Sequence, residues 1–427
     1  PLAAPPRASR VDGAVLMLHA RMPRRRALVV AVVSTVVKVL CQRAYANFSH
    51  QCVAPLTQWR PDAWLMELHH GPTLAFKDVA MQIIAQIYDY LLGKSGQRMM
   101  ITCATSGDTG GAAAAAFAGA KHADLVILHP HERVSPVQRM FMTTTGSPNV
   151  INLAVDGDFD DCQAIVKDMF GDREFVSAVN LSGVNSINWA RVMAQTVYYV
   201  TASEAFATAP TFSVPTGNFG NVLAGWIARE MGAPIRDFII SSNTNDILTR
   251  FVNDHDMTAR GVVPTLSPSM DIQVSSNFER LLFEMNGRDG GMTAEQLTRF
   301  RSTGRLDIEG DQRDRFMAGS FRAAAFDDVS TLSEIRRVYD ASGYVLDPHS
   351  ATGTAAARML SAAGDGGPVI TLATAHPAKF PDAVQEAIGV RPELPAHLAD
   401  LFEREERTQT VANDLATVQR LVEQLTR

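Results

Sequence analysis

The sequence predicts an α/β fold built on parallel strands. Short apolar runs rich in β-branched residues alternate with segments of helical periodicity from about Ser49 onward. These runs lie at 125–128, 150–155, 211–214, 238–241 and 369–372. Because strands that alternate with helices are joined by crossover connections, this order favours parallel sheets with helices on their faces. The chain has 427 residues, of which 46% are hydrophobic, and this length suits one large unit or two moderate ones.

We expect two open, mostly parallel α/β domains with a ligand cleft between them. The smaller domain covers about 90–184, and the larger one combines 46–89 with 185–427. The charged, amphipathic pattern of 392–427 predicts C-terminal helices, and polar, glycine-bearing stretches at 286–292 and 364–367 predict surface loops. In open sheets of this kind, ligands bind at the carboxyl ends of the strands.

Composition and charge argue against several classes of function. The 39 basic and 45 acidic residues leave a net charge of −6, which offers no electrostatic footprint for nucleic acid. Cys41, Cys52, Cys103 and Cys162 lie far apart without a CxxC pair, and the eleven histidines form no metal-binding pattern. The cysteine pattern predicts neither a zinc site nor a disulfide framework, and we expect a reducing compartment such as the cytoplasm.

The first 45 residues differ in charge from the rest of the chain. They carry a net charge of +7, whereas the remainder carries about −13. Their apolar run at 27–37 is too short to span a bilayer. An Arg-rich, acid-poor start is typical of an organelle transit segment and, less often, of a secretory signal; a sequence artefact is the third interpretation.

The first polar motif, HHGPTLAFKD at 69–78, places Lys77 at the start of an amphipathic helix. The positive end of the helix dipole and the apolar residues 74–76 both lower the pKa of this lysine. An uncharged lysine amine is the nucleophile that imine formation requires. The alternative is a solvated lysine that pairs with the adjacent Asp78.

The second motif, at 99–110, is a strand followed by a turn and an alanine-rich helix. Its hydroxyl groups and free backbone amides, around Thr105, Ser106, Asp108 and Thr109, predict a pocket for an anion such as a carboxylate. The alternative is that one of these side chains only caps the helix.

The third motif, at 211–221, is again a strand, a turn and a helix. Gly217 and Gly220 let the backbone approach an anion closely, and the helix start supplies free N–H groups, so a phosphate fits. The segment matches neither a Walker A loop nor a GxGxxG dinucleotide site. A purely structural turn is the alternative.

The fourth motif, at 180–191, concentrates neutral donors beside one guanidinium group. Asn185, Ser186, Asn188 and Arg191 form a set suited to a second phosphate. Asparagine and serine before a helix are also common capping residues, which is the alternative interpretation.

Six segments, in this order, resemble the threonine synthase family of fold-type-II pyridoxal-phosphate enzymes, whose fold is that of the tryptophan synthase β subunit. They are HHGPTLAFKD, TSGDTGGAAAAAFAG, NSINWAR, PTGNFGN, SPSMDIQVSSNFERLLF and ATAHPAKFPDAV. The resemblance covers roughly residues 46–390.

The resemblance implies how pyridoxal phosphate would be held. Lys77 would form the internal aldimine and later move protons, Asp108 would lie near the cofactor O3′, and Thr374 would bind the pyridine nitrogen. The cofactor phosphate would be held by Thr216, Gly217, Asn218, Phe219, Gly220 and Asn221.

The resemblance also implies the substrate, O-phospho-L-homoserine, and its conversion with water to L-threonine and phosphate by γ-elimination and addition at Cβ. The turn with Thr105, Ser106 and Thr109 would receive the substrate carboxylate. The leaving phosphate would be bound by Asn185, Ser186, Asn188 and Arg191. A related phospholyase that releases phosphate, ammonia and a keto acid, and a non-catalytic cofactor-binding relative, are the alternatives. Both a monomer and a homodimer stay open.

Overall fold

The computed structural model describes residues 24–308, 310–361 and 367–425. Residues 1–23 of the basic N-terminal segment and 364–366 of one predicted loop lie outside the described residues. The other predicted loop is shorter than expected, because a helix begins at Gly290.

Two mostly parallel sheets form the scaffold, as the sequence predicts. One has six strands in the order β1-β2-β12-β7-β8-β11, and the other has five in the order β13-β5-β4-β3-β6. The strands are β1 Leu56–Arg60, β2 Ala63–Glu67, β3 Met99–Ala104, β4 Ala123–Pro130, β5 Val150–Asp156, β6 Leu181–Gly183, β7 Thr211–Pro215, β8 Phe238–Ser242, β9 Met257–Thr258, β10 Arg305–Leu306, β11 Phe321–Ala325, β12 Val369–Ala373 and β13 Gln409–Ala412. All five predicted strand segments are confirmed. Within the two large sheets, only β1 pairs antiparallel, with β2.

Helices connect and cover these strands. They are α1 Arg24–Ala44, α2 Lys77–Ser95, α3 Asp108–Phe117, α4 Pro136–Thr143, α5 Phe159–Gly171, α6 Arg173–Val179, α7 Trp189–Ser203, α8 Gly220–Glu230, α9 Ile247–Asp254, α10 Phe278–Met285, α11 Gly290–Thr303, α12 Gly310–Met317, α13 Asp328–Ser342, α14 Pro348–Leu360, α15 Pro381–Ile388 and α16 Leu415–Leu425. No helix in the described part of the chain is long and apolar enough to cross a membrane.

Both sheets bury side chains on both faces, as parallel sheets with helices on each side must. In β3, Ile101 and Cys103 face the alanine-rich helix α3, whereas Met100 packs on the other side with Met169 of α5. In β2 of the six-stranded sheet, Met66 lies in the main core cluster, whereas Leu65 lies in a separate cluster with Ile335 of α13. The strand ends are therefore held rigidly by packing on two sides.

The C-terminal segment differs from its prediction. The expected run of helix over 392–427 is wrong for most of its length: two short 3-10 turns and strand β13 precede the single helix α16. Strand β13 pairs with β5 in the five-stranded sheet. The C-terminal segment thus joins the sheet of the smaller predicted domain, although we expected it in the larger one. The charge pattern was compatible with a surface helix, but a strand of four residues carries too little periodicity to be recognised.

The apolar run at 27–37 lies within helix α1. Leu40 and Ala44 near the end of this helix pack against Ile83 of α2. Residues 40–44, at the end of the basic segment, are therefore in contact with the helix that begins at Lys77.

Close packing of α8 against its sheet yields a stability prediction. A Cβ atom at Gly225 would lie 2.6 Å from Phe238 Cε1 and 2.8 Å from Tyr199 Cε1, inside a packed aromatic core. We expect Gly225→Ala to destabilise the protein by about 1–3 kcal/mol, as overpacking does. Gly171→Ala is the matched control, since nothing lies within 4 Å of its Cβ position. Thermal unfolding should show a lower midpoint for the first variant only; equal midpoints would contradict this packing.

Candidate active site

A cavity that is partly open to solvent lies at the carboxyl ends of strands from both sheets. The residues that line it are Phe76, Lys77, Thr109, Ser186, Arg191, Gln195, Pro215, Thr216, Gly217, Asn218, Phe219, Gly220, Asn221, Ser269, Met270, His349 and Thr374. Residues from all four predicted motifs thus meet in one place.

Lys77, the first residue of α2, is buried in this cavity. Its Nζ lies 2.9 Å from Asp108 Oδ2 and 3.5 Å from Ser269 Oγ. Burial lowers the pKa of Lys77 below its usual value, and Asp108 opposes that shift without reversing it. The interpretation as a solvated lysine paired with Asp78 is wrong, because Asp78 instead accepts hydrogen bonds from Thr73.

The segment around Lys77 is joined to the end of β12. The Phe76 N–H donates to the Thr374 carbonyl over 2.8 Å, and Ala75 forms an isolated bridge with Ala375. The Thr374 N–H in turn donates to Ser350 Oγ over 3.0 Å. Thr374 is therefore held by its backbone on one wall of the cavity, about 300 residues from Lys77 in sequence.

The start of α8 presents free backbone donors to the cavity. No side chain caps this helix, and its first backbone hydrogen bond runs from the Leu223 N–H to the Phe219 carbonyl. Phe219 itself has φ 60°, a left-handed conformation that non-glycine residues rarely adopt. Its ring stays in the core against Phe278, while the turn leaves the next N–H groups available to an anion.

Asn221 adds a side-chain donor to this helix start. Its Oδ1 accepts hydrogen bonds from the hydroxyl groups of Tyr198, at 2.5 Å, and Tyr199, at 3.0 Å. Its Nδ2 is buried and has no hydrogen-bond partner among the described residues. Because unpaired buried donors are costly, this amide is ready to bind an anion in the cavity.

The side chains of Thr216 and Asn218 already form hydrogen bonds within the protein, which the sequence does not indicate. The Thr216 hydroxyl donates to the Val214 carbonyl over 2.6 Å, so it can only accept a further hydrogen bond. Asn218 Oδ1 accepts from Ser276 Oγ over 2.9 Å. Both side chains line the cavity, but these hydrogen bonds also stabilise the loop.

Arg191 is a buried cation that lines the same cavity. One of its terminal nitrogens donates to the Val184 carbonyl over 3.1 Å, and its Nε has no partner in the described part of the chain. Burial lowers the pKa of Arg191 to about 10, which leaves it charged at neutral pH. None of the ion pairs among the described residues includes Arg191, so its charge is available to an anionic ligand.

Five predicted residues are absent from the cavity lining: Asp108, which contacts Lys77, and four residues of two turns. Asn188 caps α7 through the Ala190 N–H and also donates to Tyr88 and to the Gly183 carbonyl. The Asn185 carbonyl accepts the Asn188 N–H. In the other turn, Ser106 is exposed and Thr105 Oγ1 accepts the N–H groups of residues 107 and 110. For Asn188 the capping interpretation therefore holds, and Thr105 has a similar structural role in its turn.

Sequence analysis missed three side chains near Lys77 as site residues, those of Ser269, His349 and Lys379. Ser269 Oγ donates to Asp108 Oδ2 over 3.1 Å, and the Ser269 N–H donates to His349 Nε2 over 3.2 Å. The third is Lys379, whose Nζ lies 2.7 Å from Asp108 Oδ1. Ser269 and Lys379 lie within segments that carry the family resemblance, which was the only available signal for them.

Comparison with known proteins identifies the class of this site. Residues 53–301 match the family described as pyridoxal-phosphate dependent enzyme, and 350–422 match the threonine synthase C-terminal family. The solved structure of threonine deaminase from Solanum lycopersicum, at 12% identity and a TM-score of 0.56 over 83% of this chain and 93% of its own, shares the fold. The fold and the site are those of a fold-type-II pyridoxal-phosphate enzyme.

More similar proteins narrow the assignment. The threonine synthase of Pseudomonas aeruginosa is 49% identical over 91% of this chain and 83% of its own length. The crystal structure of PLP-bound threonine synthase from Brucella melitensis superimposes with a TM-score of 0.89 at 47% identity, over 92% of this chain and 85% of that one. The chain belongs to the threonine synthase family, and its cofactor is pyridoxal phosphate.

The residues present fit this cofactor. A buried lysine amine is available for its aldehyde, and an uncapped helix start with an unpaired amide donor, Asn221 Nδ2, is available for its phosphate. Across the described residues, no cluster of three or more His, Cys, Asp or Glu could hold a metal ion.

The pKa of Lys77 can be measured in the cofactor-free chain. Because burial lowers this pKa, the uncharged and reactive amine appears at lower pH than in an unstructured peptide, where the lysine pKa is about 10.4. Isotope-coded acetylation followed by peptide mass spectrometry over a pH series should place the midpoint for Lys77 below that of a lysine-containing model peptide. A midpoint at or above the peptide value would show that the environment of Lys77 stabilises its charge.

Proposed function

We propose that the protein converts O-phospho-L-homoserine and water to L-threonine and phosphate in this cavity. The observation that carries the proposal is that two sets of free anion-binding donors line the cavity that holds Lys77. One is the start of α8 with Asn221, and the other is Arg191. A cofactor phosphate and a leaving phosphate require two sites, because the leaving group departs from Cγ of the substrate.

The residues would hold the cofactor as follows. Lys77 would carry it covalently, the residues from Thr216 to Asn221 would bind its phosphate, Asp108 would lie near its O3′ and Thr374 would bind its pyridine nitrogen. When bound, pyridoxal phosphate supplies an electron sink for the carbanion chemistry.

The protein's own task is to move protons and to orient the substrate. Once replaced by the substrate amine, Lys77 Nζ would remove a proton from Cα and then from Cβ, so that phosphate leaves from Cγ. Its lowered pKa favours the uncharged amine that this task needs. The turn with Thr105 and Ser106 would receive the substrate carboxylate through Thr109, the member of this set that lines the cavity at the start of α3.

The leaving phosphate would bind at Arg191 and Ser186. Both line the cavity, and Ser186 Oγ lies 3.0 Å from Ser276 Oγ. Asn185 and Asn188 would act mainly by shaping this turn, since Asn188 is occupied as the cap of α7. We also propose a reducing compartment such as the cytoplasm, which the free state of all four cysteines supports.

A product assay tests the reaction. With O-phospho-L-homoserine as substrate, we expect equal amounts of phosphate and L-threonine, and loss of at least 1,000-fold in turnover for Lys77→Arg, because general-base catalysis and covalent attachment are both removed. Lys167→Arg, an exposed lysine on α5, is the matched control. Phosphate with ammonia and a keto acid would indicate a phospholyase. Cofactor absorbance without turnover would indicate a non-catalytic binder, and either result would overturn the proposal.

Arg191 provides a second test. We expect Arg191→Met to lower kcat/KM for O-phospho-L-homoserine by about 10–100-fold, the value of one or two charge-assisted hydrogen bonds. Cofactor absorbance should be unchanged, because we propose that the cofactor phosphate is bound at the start of α8 and not by Arg191. Loss of the cofactor together with substrate affinity would instead place Arg191 at the cofactor.

A further inference from the structure

One buried carboxylate in this site contacts two lysines from distant segments. Asp108, the first residue of α3, lies 2.9 Å from Lys77 through Oδ2 and 2.7 Å from Lys379 through Oδ1. Lys379 is 2% exposed, and its Nζ also donates to the Thr73 carbonyl over 2.9 Å and lies over the ring of Phe141. A lysine is almost never so deeply buried without a specific partner, and here that partner is Asp108.

The two oxygens of this carboxylate have different neighbours. Oδ1 accepts hydrogen bonds from Lys379 and from Gln138 Nε2, at 2.9 Å. Oδ2 faces Lys77 and Ser269. The contacts on Oδ1 therefore hold Asp108 in place whether or not Lys77 is charged.

The charge balance depends on Lys379. The reaction proposed above requires the Lys77 amine to lose its proton, and a buried carboxylate left without a cation would take that proton up. With Lys379 in place, the loss of the proton leaves a paired carboxylate and ammonium. Without it, the same step leaves an unpaired buried carboxylate, which is far less favourable.

Other charged groups face this cluster. Lys379 also interacts with the buried Asp78, whose pKa is raised by burial and whose carboxylate is held by Thr73. Arg191 lines the same cavity as Lys77 and lowers the pKa of Lys77, as Lys379 does. Burial raises the pKa of Asp108, but the two lysines outweigh it and hold that pKa well below its usual range.

We propose that Lys379 is a positioning residue for the reaction: it keeps Asp108 ionised and in place, so that Lys77 can release its proton without leaving an unpaired buried carboxylate. The role of Lys379 in turnover rests on the proposed function. Its effect on the charges of Asp108 and Lys77 does not, because that effect can be measured in the cofactor-free chain.

The pH profile of Lys77 acetylation in the full-length, cofactor-free chain tests the proposal. In the variant Lys379→Met, Lys77 is the one lysine left to pair with Asp108. We therefore expect the midpoint of the Lys77 acetylation profile to rise by about one pH unit. At a fixed pH below that midpoint, labelling of Lys77 should be about tenfold slower than in the wild type. The variant retains a matched pair, so it should fold. Lys167→Met, with its exposed lysine on α5, is the control and should keep the wild-type midpoint.

The double variant Asp108→Asn with Lys379→Met separates an electrostatic from a merely structural role. Removing the carboxylate should return the midpoint for Lys77 to the wild-type value or below. An unchanged midpoint in Lys379→Met, or a raised midpoint that persists in the double variant, would overturn the proposal. This measurement uses neither cofactor nor substrate, so its outcome does not depend on whether the protein forms L-threonine. The product assay described above tests the formation of L-threonine separately.

Discussion

The ion pair between Lys77 and Asp108 is the contact on which the rest of the site depends. An ammonium and a carboxylate removed from water are stable only when each is paired and hydrogen-bonded. Here the carboxylate accepts four such contacts, from Lys77, Ser269, Gln138 and Lys379. The site therefore keeps a reactive amine in an apolar environment while the opposite charge beside it stays fixed.

The fold brings Lys77 and Asp108 together because the strands that precede them end near each other. Lys77 follows β2, Asp108 follows β3, and Lys379 and Thr374 follow β12, and all of these strands are parallel members of the two sheets. Carboxyl ends of parallel strands open onto one edge, where helix starts supply backbone donors. Helix α8 contributes its uncapped start to the same edge. The anion-binding donors and Lys77 thus line one cavity because they follow the carboxyl ends of parallel strands.

Much of the fold and part of the site could be predicted from the sequence. Buried parallel strands are continuous apolar runs, and this is why the five runs named in the sequence analysis could be recognised as strands. Lys77 and the glycine loop stood out because polar residues interrupt those runs at strand ends. The role of Asn188 could not be predicted. Helix caps and phosphate ligands use the same residue types before a helix, so the structure is needed to show that Asn188 is a cap. Lys379 could not be assigned, since its contact with Asp108 spans 271 positions in the chain.

The covalent link between Lys77 and pyridoxal phosphate is the central claim, and borohydride reduction of the cofactor-loaded protein followed by peptide mass mapping tests it most directly. We expect the mass of the reduced cofactor on the peptide that contains Lys77 and on no other. Because Lys379 is a second buried lysine at the same carboxylate, it serves as an internal comparison. Label on Lys379, on another side chain or on none would contradict the site described above.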